Sequence, residues 1–379
     1  MGEGLKKLPM INDNEEITCC STGISETTYG DPVDETWVSG RMETAVGTVY
    51  QISTTLESGD LVGSLKARWG FGRMDYTVPP RLYAVGEPGE ESPVLVSANY
   101  KLSFDHLRRE LKEVDAWVLV LDTKGVNVWC AAGKGTFGTA ELLRMLKLTR
   151  IMELVAHRSL ILPQLSAPGV SAHLVKKESG FRVIYGPVRA ADLKQFINSG
   201  YKADQEMRRT SFNLKDRLVL APIELVGMFV PLTIFAVVIL ILNLISGLVS
   251  DSEIAITFLL SETAYDLFPF TIALLVGIIL VPALLPYIPG RALAWKGWLL
   301  GMFWAIVYTS FTANATGWAH ILSLLLLLPA IPAFLGMNFT GSTTYTSLSG
   351  VIKEMEIALP LIIISGGLGA IALILSYFF

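Results

Sequence analysis

The chain has 379 residues, of which 51% are hydrophobic and 17% are charged, and its formal net charge at pH 7 is −4. Its mean hydropathy of +0.49 is too high for an ordinary soluble protein, so the composition predicts a membrane protein that also carries a polar part. Binding to a polyanion requires a basic surface, and the composition therefore excludes nucleic acid as an expected partner.

Basic residues are distributed very unevenly along the chain. Only three of the 30 Lys and Arg residues lie beyond residue 220, and these are Arg291, Lys296 and Lys353. Because charge is costly in lipid, this segregation predicts a polar domain at residues 37–200, a charged connector at 201–220 and a transmembrane domain at 221–379.

The first 36 residues are polar and lack periodicity, so we predict a mobile N-terminal tail at residues 1–36. The chain has three cysteines, two of them adjacent at Cys19 and Cys20, and these cannot form a disulfide framework. A reducing compartment is expected. The N-terminus also lacks the apolar core of a signal peptide, so the polar domain is expected in the cytoplasm.

Short strands are predicted at the start of the polar domain, for example at Gly47–Ser53, with a loop at Gly70–Met74. The first core strand is predicted at Pro93–Ala98. The helix after it is predicted at Phe104–Val114, with Ser103 as its N-cap.

Three further buried strands are predicted from short runs rich in Val, Leu and Ile, at Ala116–Asp122, Leu160–Leu162 and Phe181–Tyr185. Helices are predicted at Thr139–Lys147 and Ala190–Ile197. Alternation of strand and helix indicates the α/β class, with a Rossmann-like parallel sheet and right-handed crossovers, followed by an all-α transmembrane domain of about five helices.

The stretch Asn127–Gly138 (NVWCAAGKGTFG) lies between the central strand and its helix. Ligands of open α/β sheets bind beyond the carboxyl ends of the strands, which predicts a ligand site here. The glycines allow a large flat ligand to approach the backbone, Trp129 and Phe137 supply aromatic walls, and Cys130 is the soft donor. A phosphate-binding loop is excluded, because Val128 and Gly135 stand where that motif requires Gly and Ser or Thr.

The eight residues Asn127–Lys134 (NVWCAAGK) resemble the signature of the mercury-methylating corrinoid proteins, the HgcA family, which is related to the corrinoid iron–sulfur proteins. The resemblance extends to Pro93–Lys101, Leu162–Val170, Gly180–Arg189 and the membrane-bound second half. It implies a corrinoid-binding domain and an enzyme that transfers a methyl group from cobalt to Hg(II), forming methylmercury.

The resemblance also implies that Cys130 is catalytic and holds the cobalt of cobalamin or a related corrinoid as its lower axial thiolate ligand. An anionic, strongly donating ligand opposite a methyl group weakens the cobalt–carbon bond and favours carbanion-like transfer to a soft electrophile. Asn127 and Trp129 are expected to fix the loop and to cover the sulfur. The cofactor contacts are expected from Ser97, Ala98, Asn127, Val128, Trp129, Cys130, Ala131, Gly133, Gln164, Leu165, Ala167 and Gly169.

All of these residues lie within 37–200, so this domain is expected to bind a corrinoid without the membrane half. A corrinoid motif of the form Asp-x-His-x-x-Gly is missing, since Asp105 and His106 are adjacent, and this supports Cys rather than His as the ligand. The family implies a ferredoxin-like partner with two [4Fe–4S] clusters, because this chain has no cysteine cluster of its own for them. The methyl donor is expected to belong to a methyltetrahydrofolate-dependent pathway.

Five transmembrane spans are predicted from apolar stretches near the ~20 residues that cross a bilayer, at about Ala221–Leu248, Leu267–Tyr287, Ala292–Phe311, Trp318–Leu335 and Ile357–Phe379. The basic loop at Arg291 and Lys296 places the N-terminus and corrinoid domain in the cytoplasm and the C-terminus outside. The chain is thus predicted to be a multi-pass protein of the cytoplasmic (inner) membrane, with a hydroxyl-rich cytoplasmic loop at Asn338–Ser347.

Two alternatives remain open. The chain could be a one-carbon corrinoid carrier for acetyl-CoA-type metabolism, or a five-span transporter with a ligand-sensing domain. Broken helices or paired charges within the spans would favour transport, and Glu224, Asn243 and His320 are polar residues within the predicted spans.

Overall fold

The computed structural model describes residues 35–249, 255–312, 317–342 and 348–378. The predicted tail therefore lies almost wholly outside the described residues, as do Cys19 and Cys20. The described chain consists of an α/β part, a connector and a helical part.

A seven-stranded sheet with the order β1-β2-β3-β5-β4-β6-β7 forms the centre of the α/β part. Its strands are β1 (Val38–Thr44), β2 (Gly47–Ile52), β3 (Leu82–Val85), β4 (Val94–Ala98), β5 (Ala116–Leu121), β6 (Ser159–Leu162) and β7 (Arg182–Tyr185). The predicted core strands are thus confirmed as β4 to β7, and each pairs in parallel with its neighbour.

The predicted parallel sheet is thus confirmed for these four strands, but the whole sheet is mixed, because antiparallel strands extend it at one edge. β3 runs antiparallel to β5, and β1 and β2 form an antiparallel hairpin. The hairpin turn uses Gly47 at φ 106°, a left-handed conformation that suits glycine. β1 alternates exposed and half-buried residues, whereas β4 and β5 are buried along their whole length. The mixed edge therefore faces solvent on one side, as antiparallel strands commonly do.

Six helices belong to the α/β part: α1 (Ser58–Arg68), α2 (Lys101–Glu110), α3 (Val128–Lys134), α4 (Thr139–Thr149), α5 (Ala172–Ser179) and α6 (Leu193–Asn198). The sequence missed α1, and the predicted Ser103 cap is wrong, because α2 begins after Tyr100. The predicted cysteine loop contains the helix α3, with Asn127 as its N-cap. The predicted helix at Thr139–Lys147 is confirmed.

An apolar core lies on each face of the sheet. One core contains Trp37, whose ring lies 5.5 Å from that of Tyr83 and 5.1 Å from that of Phe104, in edge-to-face contact. The other core contains Ala131 and Phe137, which attach α3 and its following turn to the sheet. Burial of the residues around Cys130 therefore fixes α3 in place.

A buried ion cluster joins α1 to α2. Asp60 of α1 accepts from Lys101 at 2.5 Å and from Arg108 at 2.7 Å, and Asp105 accepts from the same two cations. Asp60, Asp105 and Arg108 are each at most 5% exposed. Burial alone raises the pKa of Asp60, but the hydrogen bonds from Lys101, the Glu57 backbone and Arg108 outweigh it and hold the pKa below its ordinary value.

The charge pattern of residues 200–217 favours a helix, but the connector is helical only at α7 (Leu214–Leu218). The helical part then comprises α8 (Ala221–Gly227), α9 (Phe229–Val249), α10 (Ile256–Leu275), α11 (Val281–Leu284), α12 (Leu293–Thr312), α13 (Trp318–Ser342) and α14 (Leu348–Ser376), with a π-helical turn at Val276–Leu280.

Four helices in the described residues are long and apolar enough to cross a membrane: Phe229–Val249, Ile256–Leu284, Trp318–Thr340 and Gly350–Ser376. The third predicted span, Ala292–Phe311, corresponds to α12, which is a helix but is not one of these four. Lys296 and the Trp and Gly residues of α12 lower its hydropathy. Nine of its 20 residues are buried, so α12 packs inside the helical bundle.

Several predicted boundaries in the helical part are also wrong. The first span is interrupted at Met228, the second begins at Ile256 rather than Leu267, and Asn338–Ser342 continues α13 instead of forming a loop. Residues 343–347 of that predicted loop lie outside the described residues. Helix α13 therefore reaches further than its apolar stretch alone indicates.

Candidate functional site

The carboxyl ends of the four parallel strands meet at one edge of the sheet. Ala98 of β4 is in register with Leu121 of β5, and Leu162 of β6 with Tyr185 of β7. Beyond this edge lies a cavity of about 910 Å³. That volume is near the upper end of the ~300–1,000 Å³ typical of small-molecule sites, so the cavity suits a large ligand.

Apolar side chains form most of the cavity wall. Leu95 and Ile161 lie on its sheet side, Trp129 comes from α3, and Pro187 and Val188 come from the segment after β7. Polar groups stand among them at Ser97, Ser103, His106, Arg109, Arg189 and Lys215. The cavity therefore offers flat apolar surfaces bounded by a few hydrogen-bonding groups.

Cys130 lies in the first turn of α3, next to the cavity. Its backbone N–H donates to Oδ1 of Asn127 at 2.9 Å, a side-chain cap that holds the start of the helix. Cys130 is half-buried, and the three residues before it all line the cavity. The thiol thus belongs to the segment that forms the rim.

Five of the twelve predicted contacts line the cavity, namely Ser97, Asn127, Val128, Trp129 and Leu165. The other seven do not line it, and these are Ala98, Cys130, Ala131, Gly133, Gln164, Ala167 and Gly169. The structure therefore brings the predicted contact residues near the ends of β4, β5 and β6 to one edge of the sheet, but only some of them line the cavity.

Most of the seven predicted contact residues that do not line the cavity lie in the core, at the surface or in contacts between segments. Ala98 and Ala131 are fully buried in the apolar core, and Gly133 is exposed. Gln164 accepts a hydrogen bond from Arg208 of the connector at 2.9 Å. Gly169 packs closely against the backbone of Ala132, which brings the turn after β6 against α3.

Sequence reasoning missed the connector as part of the cavity wall. Asn213, Lys215 and Asp216 all line it, although they lie beyond residue 200. The wall of the cavity therefore extends beyond residues 37–200, to which the predicted contacts are confined. The density of charged residues in the connector is the sequence feature that could have indicated this role, but by itself it predicts only a polar segment that leads to the membrane.

The second half of the connector is fixed on two sides. On the cavity side, Arg189 donates to Ser211 and to Asp216. On the other side, the Arg217 guanidinium donates to the backbone oxygens of Pro282 and Ala283 at 2.9 and 2.8 Å. The wall of the cavity is thus attached directly to the helical part.

His106 is the histidine in the cavity wall. Burial lowers its pKa below the ordinary value, and the positive charges of Arg109 and Arg68 lower it further. The Arg68 guanidinium lies 3.4 Å from Nε2 of His106, which fits a neutral ring that accepts at this nitrogen. His106 therefore presents an uncharged polar group to the cavity at neutral pH.

Comparison with known proteins relates this site to two kinds of subunit. Residues 72–197 match the family model described as CO dehydrogenase/acetyl-CoA synthase delta subunit. An acetyl-CoA decarbonylase/synthase complex subunit gamma of Archaeoglobus fulgidus is 29% identical over 131 residues, 34% of this chain and 27% of that protein. The same subunit of Methanopyrus kandleri is 33% identical over 122 residues, 32% of this chain and 26% of that protein.

A corrinoid/iron–sulfur protein large subunit of Moorella thermoacetica is 24% identical over 181 residues, 46% of this chain and 40% of that protein. The chain thus spans between about a quarter and two fifths of the length of these relatives. The segment matched by the family model contains β3 to β7 and Cys130 and stops before the connector. The α/β part of this chain is therefore related to the corrinoid-protein family.

Proposed function

We propose that this chain is a membrane-anchored, corrinoid-dependent methyltransferase that transfers a methyl group to Hg(II) and forms methylmercury. The observation that carries the proposal is the signature Asn127–Lys134, with Cys130 within it, on the rim of a cavity suited to a large ligand. The relationship of residues 72–197 to corrinoid-protein subunits supports the corrinoid as that ligand.

The cavity walls fit a large flat macrocycle. Trp129 and Val128 of α3, and Pro187 and Val188 after β7, would offer apolar surface to such a ring. Ser97 and the neutral His106 are placed to hydrogen-bond amide groups at its edge. When bound, a corrinoid supplies a cobalt ion that accepts a methyl group from one molecule and gives it to another.

We propose that the Cys130 thiolate would hold the cobalt of such a cofactor. Among the described residues, no group of three or more His, Cys, Asp or Glu side chains is arranged to hold a metal. A corrinoid would bring most of the ligands of its own metal, and Cys130 would supply one more. Asn127 supports this role, because its cap fixes the backbone of Cys130 at the rim.

The identity of this ligand supports Hg(II) as the acceptor. A thiolate is softer and more strongly donating than the neutral imidazole of a histidine. Electron donation from the Cys130 thiolate would make a cobalt-bound methyl group more carbanion-like, and such a group would be attracted to a soft cation. Hg(II) is such a cation, whereas acceptors that attack as nucleophiles need the opposite polarity.

A one-carbon carrier for acetyl-CoA synthesis is the second candidate, and the names of the relatives favour it. The two functions differ in their acceptor and therefore in the product. A carrier would give its methyl group to an acetyl-CoA synthase, with or without Cys130 as ligand. A mercury methyltransferase would form methylmercury in a manner that depends on Cys130.

The similarity to a corrinoid/iron–sulfur protein subunit supports an iron–sulfur partner for this chain. A [4Fe–4S] cluster requires four cysteine ligands, and the chain has three cysteines. We propose a ferredoxin-like protein with two such clusters as the electron donor, and a methyltetrahydrofolate-dependent pathway as the source of the methyl group. We further propose that the α/β part lies in the cytoplasm and that the C-terminus lies outside.

The test is methyl transfer by the full chain in lipid nanodiscs, loaded with cobalamin and supplied with a methyl donor, a low-potential reductant and Hg(II). We expect methylmercury from the parent chain and a loss to background in the Cys130→Ala variant. Methylmercury from both chains at equal rates would refute the role of Cys130. If neither chain forms methylmercury, while both pass a methyl group to an acetyl-CoA synthase, the carrier function is correct.

A further inference from the structure

Helix α1 has its apolar side facing outward. Leu61, Val62 and Leu65 are 60%, 51% and 57% exposed, whereas Asp60 and Ala67 on the opposite side are buried. Gly63 also faces inward, against the ring of Tyr76. A surface helix of a soluble domain normally buries its apolar side, so this arrangement indicates that another surface covers α1.

The exposed apolar surface continues past the end of the helix. Trp69 is 38% exposed, and Phe71 and Met74 are 60% and 59% exposed. We call residues Leu61–Met74 the apolar flap. Its sequence, LVGSLKARWGFGRM, contains three basic residues and no acidic residue. The flap therefore combines apolar and aromatic side chains with positive charge.

The flap lies beside the beginning of the first membrane-spanning helix. A Cβ atom at Gly70 would lie 3.3 Å from Cγ1 of Ile223, which belongs to α8. Ile223 precedes Phe229, the first residue of α9, by six residues, or about 9 Å at the rise of a helix. Helix α9 has 21 residues, about 31 Å, which matches the ~30 Å of hydrocarbon in a bilayer.

Phe229 therefore marks one boundary of the hydrocarbon, and Gly70 lies near the level of the headgroups. Trp69 and Phe71 on either side of it occupy the depth at which aromatic side chains concentrate in membrane proteins. The basic residues of the flap suit the anionic lipids of a cytoplasmic leaflet. The exposed apolar side chains of the flap, its positive charge and its position thus all indicate that lipid is the surface that covers it.

We propose that the apolar flap is inserted in the bilayer surface, with Leu61, Leu65 and Phe71 in contact with lipid. The proposal rests on α9 spanning the membrane, but not on any activity of Cys130. It also has a consequence for the site. The Met74 carbonyl lies so close to Gly125 that a Cβ there would approach it to 2.5 Å, and Gly125 lies in the turn that leads to α3.

A membrane-inserted flap therefore supports the turn before Asn127 from the side of the lipid. Together with the connector, it holds the rim of the cavity close to the membrane surface at two places.

The test is photocrosslinking of the full chain in lipid nanodiscs that contain anionic lipid. Leu65 is replaced by p-benzoylphenylalanine, and the same substitution at Phe71 gives an independent probe. The matched control is Leu174, a 41% exposed leucine on α5, which packs on α4 and β7. A substitution at Ile234, which is 61% exposed on α9, reports whether that helix is in lipid.

We expect lipid adducts by mass spectrometry at Leu65, Phe71 and Ile234, and only background at Leu174. Adducts at Ile234 without adducts at Leu65 and Phe71 would overturn the flap proposal and leave the membrane span intact. Crosslinks from Leu65 to a second copy of the chain would also overturn it and would identify a dimer surface. Absence of adducts at Ile234 would instead refute the span on which the proposal rests.

Discussion

Replacement of Cys130 by Ala should separate stability from activity. Cys130 is half-buried, and Ala keeps its Cβ, so the variant loses one sulfur atom from a partly exposed position. A fully buried methylene group contributes about 0.8 kcal/mol, and a half-buried one less than that. Ala also has the higher helix propensity, by up to about 0.7 kcal/mol. The two effects oppose one another, and we expect the free energy of unfolding to change by less than ~1 kcal/mol.

Activity should respond very differently. The Asn127 cap binds the backbone N–H of residue 130, which Ala also possesses, so α3 should keep its position. Only the soft donor is removed. We expect methylmercury formation to fall to background, and the visible absorption spectrum of the cobalamin-loaded chain to change. Cys130→Ser is the matched variant, since it keeps the size of the side chain but replaces the sulfur by a poorer donor, and it should be equally inactive.

For Asn127→Ala we expect the reverse, namely lower stability with part of the activity retained. Loss of the side-chain cap should cost about 1 kcal/mol of stability, because the first turn of α3 loses a hydrogen bond. The sulfur remains, so the variant should retain part of its activity. The assays are denaturant unfolding in detergent and methylmercury formation at matched protein levels. Parental activity in Cys130→Ala, with an unchanged spectrum, would refute the assignment of Cys130 as the cobalt ligand.

Four further predictions concern the surroundings of the site. The fragment 37–200 lacks three connector residues of the cavity wall, so it should bind cobalamin more weakly than the fragment 37–220 in a titration, and equal affinity would contradict this. The pKa of His106 is lower in the folded chain than in the unfolded chain, so on acidification the unfolded chain binds a proton at His106 first. The free energy of unfolding should therefore fall as the pH drops below about 6.5, the ordinary pKa of histidine, and level off below the pKa of the folded chain. His106→Gln should remove this part of the pH dependence in denaturant titrations at pH 7.5 and 5.5. Asp60→Asn should lower the free energy of unfolding by about 3 kcal/mol at neutral pH, because Lys101 and Arg108 lose a buried partner. In the parent chain, the stability that Asp60 contributes is lost as the pH falls through its lowered pKa. A reporter fused after Phe379 should be active only outside the cytoplasm, and activity inside would refute the proposed topology.

The strands and the ligand edge were predictable from sequence for a simple reason. Runs such as Ala116–Leu121 are apolar throughout, which marks a strand buried on both faces, and the residues after them must meet at one edge. Helix α1 was not predictable, because its apolar residues face outward and Gly59 and Gly63 lower its helix propensity. The position of the connector in the cavity wall was not predictable for another reason. It depends on Arg217 and Arg189, which bind groups distant in sequence.

A transport function would need broken helices or polar groups in the membrane-spanning helices, and the helical part contains both. The π-helical turn Val276–Leu280 interrupts one span, and Asp266 lies within α10. However, Oδ2 of Asp266 accepts from the Asn243 amide at 2.9 Å and from the Tyr377 hydroxyl at 2.6 Å. One carboxylate oxygen thus joins α9, α10 and the end of α14. A polar group that binds a cargo must exchange its partners, whereas this one is bound by the protein's own side chains on two other segments. The helical part is therefore better explained as an anchor that positions the cavity than as a transport path.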